Sequence, residues 1–317
     1  MTARRKVLFI GPGVKATDQV WGGSVATSYN FLRSMALSKR YEVQHIDRRH
    51  IKGPRELYSA LRSTDYDLLH VDDAGSGLQT CYSAGVLPDV IGPISRAPNG
   101  VKEYKIGGEV WQSIYTPEWF YQAVVIRLNA NEERAPGYKD KYLGISQGVD
   151  TEKLRPETDP RERRYILWAG DANRPAKNYP LIEEIISITE LPEPYEFKVM
   201  SGYYVKDYWN TLDETAILIN TSKYESFCAA IFEAKSKGVA TIYREKLHND
   251  RFPDGRIQVP YTAEAYRDEI LKLLSDPELL EQEGRMSRGY CVDNASFEVM
   301  KNSYEAAYDI AFARKSS

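Results

Sequence analysis

TAILINTSKYESFCAAIFEAKSKGVATI, Thr215 to Ile242, is the most informative stretch of the chain. Ala216 to Asn220 reads as a buried strand, followed by a polar turn, a helix opening near Ser226 and closing at Gly238, and a second strand beginning at Val239. That order predicts a strand–loop–helix unit of a parallel sheet. In open α/β sheets ligands settle where strand C-termini meet helix N-termini, because free backbone N–H groups and the helix dipole favour anions there. Glu225 falls at that junction. Glu233 lies eight residues on, about 12 Å away on helix rise, so the two carboxylates suit separate parts of one elongated ligand rather than a single atom. Phe227, Ala230, Ile231 and Ala234 form the face expected to pack on the sheet, with Glu233 on its flank. Carboxylates accept hydrogen bonds from hydroxyls, so a ligand with two separated sets of hydroxyls fits the pair. The same two glutamates also suit a plain solvated helix in a chain with 45 acidic residues.

Three short segments bear on that choice: Ser222-Lys223-Tyr224-Glu225-Ser226-Phe227, Phe232-Glu233-Ala234 and Gly238-Val239-Ala240. Together they resemble the donor-binding segment of the retaining GT-B glycosyltransferases of family 4, with its Glu-x7-Glu motif. The resemblance implies two Rossmann-like parallel-sheet α/β domains facing a cleft. It also implies that Glu233 holds the ribose of a sugar nucleotide, while Glu225 and the backbone amides of Phe227, Cys228 and Ala229 hold the donor sugar.

At 317 residues the chain has room for two domains of about 150 residues, each with its own core. Hydrophobic content of 42% and charged content of 27% are ordinary for a globular protein, and a net charge of −3 gives no bulk attraction to nucleic acid or anionic membrane. No run of 18 apolar residues occurs, and MTARRKVLFI leads directly into a strand without a signal peptide. With three scattered cysteines (Cys81, Cys228, Cys291), a reduced, cytoplasmic protein is expected. The four histidines show no ligand spacing. Asp65-Tyr66-Asp67 has the Asp-x-Asp form of a cation chelate but precedes its strand, at the sheet edge opposite to ligands, and reads as a solvated turn. No metal or cofactor is expected beyond a nucleoside-diphosphate sugar as co-substrate.

From the N-terminus, Lys6 to Ile10 is an apolar strand, then a glycine-rich loop reaches Trp21-Gly22-Gly23-Ser24 and a helix runs from about Ser24 to Leu37. Gly22 and Gly23 let backbone approach a phosphate at that helix start. The spacing is not the Gly-x-Gly-x-x-Gly of dinucleotide-binding enzymes, but it resembles the N-terminal domain of the same glycosyltransferase family. Asp67 to Val71 is the next strand. Asp72, at its C-terminal end, suits either the orientation of an acceptor hydroxyl or the start of a capped loop, and His70 suits a packed core residue. Pro88 to Ser95 and Val124 to Leu128 read as short strands; the histidine that the family carries has no counterpart in Asp89-Val90-Ile91-Gly92-Pro93.

Gly144-Ile145-Ser146-Gln147-Gly148-Val149-Asp150 resembles the family's interdomain signature, which divides the chain into an acceptor-side domain over 1–145, a donor-side domain over 146–295 and a returning C-terminal helix over 296–317. The second domain opens with strand Tyr165 to Ala169, a loop from Gly170 to Asn178 and a helix to about Ile188. By resemblance Lys177 neutralises the donor diphosphate; Asp171 stands where the family has arginine, and Arg174 substitutes from within the loop. After strand Glu196 to Met200, Tyr203 or Tyr204 is placed to stack on the nucleobase. Asp207 to Asp213 reads as a short helix, Tyr243 to Pro260 as a weakly structured segment, and Ala263 to Ser275, Pro277 to Asp293 and Ser296 to Lys315 as helices. The expected activity is metal-independent transfer of a sugar from a nucleotide sugar to an unidentified acceptor hydroxyl with retention, with Glu225, Lys177 and Asp72 as the catalytic set. A sugar-nucleotide epimerase and a non-catalytic sugar-nucleotide or glycan-binding module are the alternatives, the latter on the strength of Asp171 and the missing histidine.

Overall fold

The structure, a computed structural model, describes residues 4–12, 23–51, 54–72, 81, 86–94, 103–106, 109–112, 124–128, 142–145, 147–202, 205–223, 225, 228–245 and 257–316. Among these, one compact unit takes the chain to Gly148 and resumes at Phe297, and a second runs from Val149 to Ser296.

The first unit contains β1 (Arg5–Gly11), α1 (Gly23–Met35), β2 (Tyr41–Asp47), α2 (Pro54–Ser63), β3 (Leu68–Val71), β4 (Val90–Ile94), β5 (Glu103–Ile106), β6 (Glu109–Gln112), β7 (Val124–Leu128) and β8 (Tyr142–Ile145). Its main sheet is parallel, in the order β2-β1-β3-β4-β7-β8. Val7 to Ile10 is a continuous apolar run because both faces of a parallel strand are covered. The two-residue period of the strand then sorts the run. Val7 and Phe9 join Phe31 and Tyr41 on one face, whereas Leu8 and Ile10 join Leu57 and Leu61 on the other. Strand order reverses between β1 and β3, and there the chains approach closely: a Cβ on Gly11 would lie 2.5 Å from the Phe9 ring and 3.3 Å from Asp72 Cβ. The last helix of the chain, residues 297–315, belongs to this unit and buries Met300, Tyr304 and Tyr308 in its core.

The second unit contains β9 (Tyr165–Ala169), α3 (Tyr179–Ile188), β10 (Glu196–Met200), α4 (Val205–Asp213), β11 (Thr215–Asn220), α5 (Ala229–Ser236), β12 (Ala240–Arg244), β13 (Gln258–Val259), α6 (Ala263–Ser275) and α7 (Pro277–Ala295); the helix at Phe297–Lys315 is α8. The sheet is parallel, in the order β10-β9-β11-β12-β13, and reverses between β9 and β11. One face packs Ile166, Trp168, Ile217 and Ile219 against α3 and α6; the other packs Leu167 and Leu218 against Tyr208, Leu212, Ile231 and Ala234 of α4 and α5.

Val124 to Leu128, Glu196 to Met200 and Ala263 to Ser275 have the bounds read from the sequence. Two expectations are corrected. The helix after β11 begins at Ala229 rather than near Ser226, because Cys228 holds φ 59°, ψ 75°, a left-handed conformation that no right-handed helix includes. The segment from Tyr243 to Pro260 includes ordered strand: β12 runs to Arg244, and β13 pairs Gln258 with Tyr243 and Val259 with Arg244, too short to show a period. In addition, β5 and β6 form an antiparallel pair, Glu103 opposite Gln112 through Ile106 opposite Glu109, for which the sequence offered no expectation.

Candidate functional site

The strand-order reversal of the second unit places the loop after β9 beside the loop after β11, although β10 and α4 intervene in sequence. The two loops are stitched together. Trp168 Nε1 donates to Thr221 Oγ1 at 3.0 Å, and Thr221 Oγ1 donates to the Lys177 carbonyl at 2.9 Å. The Lys223 N–H reaches the Ala176 carbonyl at 2.8 Å. Tyr261 accepts from Asn178 Nδ2 at 2.7 Å and donates to the Thr221 carbonyl at 2.8 Å, bracing both loops from the start of α6.

Lys177 and Glu225 meet at this seam: Lys177 Nζ lies 2.5 Å from Glu225 Oε1, and Ser222 Oγ donates to the same oxygen at 2.7 Å. Their side chains are 18% and 13% exposed, so the pair is partly desolvated yet open to solvent on one side. Burial alone would depress the Lys177 ammonium; opposing negative charge, at neutral pH that of the Glu225 carboxylate that accepts its hydrogen bond, holds it above its ordinary value. Ser222 is itself fixed by its N–H on Asn220 Oδ1 at 3.0 Å, and Asn220 Nδ2 points at Cys228 Sγ, 3.2 Å away. Burial pushes the Cys228 thiol up to about 12, which removes it as a nucleophile at neutral pH. Its contribution is conformational. A non-glycine residue in the left-handed region costs of order 1–3 kcal/mol, and strain of that kind gathers where a site needs a fixed backbone. Here it fixes where α5 begins, at Ala229, four residues after Glu225.

Arg174 is exposed at the start of the turn Pro175–Lys177, close enough for its charge to depress the Lys177 ammonium slightly, so the loop carries two cations near one point. Asp171 is exposed and accepts the Asn173 N–H at 3.0 Å, and so caps its own loop.

Glu233, on α5, keeps intermediate exposure, yet so much protein surrounds its carboxyl that burial pushes it up to about 7; the Trp209 indole N–H of α4 acts in the opposite sense. Ile231 and Ala234 are buried as the helical spacing requires and Ala230 is partly buried, but Phe232 also packs inward.

In the first unit, Asp72 is 4% exposed at the C-terminal end of β3 and accepts Ser28 Oγ at 3.2 Å, beside a buried Gln147–Thr27 contact of 3.0 Å. His70 is a core residue, as expected. Its ring nitrogens lie 2.9 Å from Tyr308 OH and 2.7 Å from the Gly92 carbonyl, and burial pushes it down to about 4. Asp65 forms an ion pair with the Lys6 ammonium, and Asp67 Oδ2 accepts from the Lys6 backbone N–H at 2.7 Å. Among the described residues no cluster of three metal-ligating side chains occurs and no helix is long and apolar enough to cross a membrane. Gly22, Tyr203, Tyr204 and Phe227 lie outside the described residues; Gly23 opens α1.

The structure thus brings together Lys177, Glu225 and Cys228, with Arg174 nearby. Ser222, Asn220 and Trp209 join the site without having been singled out in the sequence; their signal is three-dimensional.

No protein-family model and no curated protein matches the sequence. Solved structures match along nearly its whole length. A glycosyltransferase from Rickettsia africae superposes with a TM-score of 0.67 at 13% identity, covering 98% of this chain and 99% of the other. Sucrose-phosphate synthase from Thermosynechococcus elongatus gives 0.68 at 12% identity, covering 98% and 100%. The catalytic domain of starch synthase IV from Arabidopsis thaliana, bound to ADP and acarbose, gives 0.64 at 12% identity with the same coverage. The fold is GT-B, two parallel-sheet α/β domains.

Proposed function

We propose that this chain is a glycosyltransferase that moves a sugar from a nucleoside-diphosphate sugar to an acceptor hydroxyl, with retention at the anomeric carbon and without a metal. The observation that carries the reading is the cluster of Lys177, Glu225 and Ser222 at the strand-order reversal of the second unit, directly before the strained start of α5. Structural neighbours of the fold hold nucleotides: starch synthase IV with ADP, and the Anabaena protein HepE with UDP and glucose.

Charge builds on the leaving diphosphate as the glycosidic bond to phosphate breaks, and fixed positive charge and backbone N–H groups stabilise it. In this reading Lys177 and Arg174 neutralise the diphosphate, and the sequence assigns backbone N–H groups of Gly22 and Gly23 to it as well. Glu225 and the amides from Phe227 to Ala229, including Cys228, hold the sugar, whose anomeric carbon becomes oxocarbenium-like. Glu233 takes the ribose hydroxyls and Tyr203 the base. Asp72 orients the acceptor hydroxyl, whose proton passes to the departing phosphate. Asp171 caps its own turn, so the site runs on two cations, Lys177 and Arg174.

Incubation with UDP-, GDP- and ADP-sugars tests the proposal. Release of nucleoside diphosphate, with transfer to water or an added hydroxyl, supports it. An epimerised donor, or tight binding with no turnover, refutes it in favour of an epimerase or a binding module.

A further inference from the structure

Trp209 of α4 carries a buried indole N–H that finds no hydrogen-bond acceptor among the described residues. Such orphan donors are rare and costly, and each asks for an explanation. α4 lies against α5, with Tyr208 OH donating to the Ala230 carbonyl at 2.9 Å and Trp209 packed in one cluster with Ile231, Phe232 and Ala234; from there the indole N–H favours the charged form of the Glu233 carboxyl, short of a complete hydrogen bond. The ring has independent support: Lys153 Nζ stands 4.3 Å from its centroid, and Lys153 belongs to a turn whose N–H is tied to Asp150 Oδ1 at 3.1 Å. Trp209 is therefore held by its ring while its polar edge waits beside a carboxyl.

We propose that Trp209 is a positioning residue for Glu233: its N–H closes on the carboxylate when a ligand with a vicinal diol binds, fixing the oxygen that accepts the hydroxyls. This rests on the nucleotide-sugar reading above for the ligand, but the coupling of the two side chains stands by itself. A bound diol donates to Glu233 and thereby demands the ionised form. A carboxylate in a buried site needs a second donor, and Trp209 Nε1 is the one in place. Other charged groups around α5 are engaged elsewhere. Lys237 pairs with Asp213 of α4 at 2.7 Å; Lys235 lies over Tyr243 of β12 and Tyr290 of α7; Cys228, at the head of the helix, is a neutral thiol at pH 7.

The test is Trp209→Phe, which keeps an aromatic ring under Lys153 and deletes the N–H. Calorimetric affinity for UDP-glucose, ADP-glucose or GDP-mannose, whichever binds the wild type, is expected to fall roughly tenfold at pH 7. The pH midpoint for binding should move up by roughly one pH unit, since the N–H favours the charged form. In a Glu233→Gln background the same substitution should change affinity less than twofold. Equal loss of affinity at every pH, or equal loss in the Gln background, overturns the coupling and leaves Trp209 a packing residue. If no nucleotide sugar binds the wild type, the activity proposed above fails, and the pair is judged on stability alone. Trp209→Phe should then raise the pH at which the Glu233-dependent loss of stability is complete, and an unmoved midpoint refutes it.

Discussion

Glu233→Gln offers a quantitative test of how the candidate site is built. Burial raises the Glu233 carboxyl from 4.5 to about 7. A folded-state value above the unfolded one means that the folded chain binds the proton more tightly. The resulting stability is fully present below pH 4.5 and is lost as the pH rises through about 7. Each pH unit of difference corresponds to about 1.4 kcal/mol, so the gross effect is about 3 kcal/mol; partial exposure of the residue reduces it to about 2 kcal/mol. Glutamine has nearly the same shape and no charge. The variant should therefore match the wild type near pH 4.5 and exceed it by about 2 kcal/mol at pH 8. Urea unfolding at several pH values measures the difference directly. The wild-type curve alone would hide the effect, because burial pushes His70 down to about 4 and so gives it the opposite slope over much of the same range. The comparison of variant with wild type cancels that contribution. A stability difference that stays constant from pH 5 to pH 8 would falsify the assignment of a carboxyl whose burial outweighs its partners. The same variant is expected to lose nucleotide-sugar affinity, so stability gained at alkaline pH and binding lost should appear together, the usual relation at a functional site.

Lys177→Met is expected to lower turnover roughly a hundredfold while nucleoside binding changes less than twofold; comparable losses in both would count against a role at the diphosphate. Gly284→Ala places a Cβ 2.3 Å from the Gly238 carbonyl oxygen, a backbone atom that cannot step aside, and should cost about 2 kcal/mol in chemical denaturation. An unchanged midpoint would mean that α7 does not approach Gly238 so closely. The stability that His70 contributes should fall as the pH drops from 6.5 through about 4, where it is forced to charge, and is read, as for Glu233, from the difference between wild type and variant. His70→Asn, though less stable overall, should show a flatter acid limb, and an unchanged limb would place the acid sensitivity elsewhere.

Much of the fold is legible in local pattern. Apolar runs such as Val7 to Ile10 and Ala216 to Ile219 mark strands buried on both faces, and helical spacing on α5 put Ile231 and Ala234 inward. The site was partly legible for a different reason: Glu225 and Lys177 sit at strand-to-helix turns, where any parallel sheet gathers its ligands. Phe232 escaped because a short helix between two layers buries more than one stripe. The start of α5 escaped because nothing in the residue type of Cys228 announces φ 59°.

By itself the sequence determined two parallel sheets and the turns that carry charge, since periodicity and turn chemistry act over a few residues. Tertiary structure decided which turns meet. Lys177 and Glu225 are 48 residues apart, and they touch only because the sheet order sets β9 beside β11 while β10 goes to the far edge. Helix docking of the same non-local kind set Trp209 of α4 against α5, which carries Glu233, and, in the first unit, closed an aromatic cage of Phe9, Phe31 and Tyr308 around His70. Sheet order and helix docking are fixed by the packing of whole faces, a property of the folded chain that no short window of residues contains.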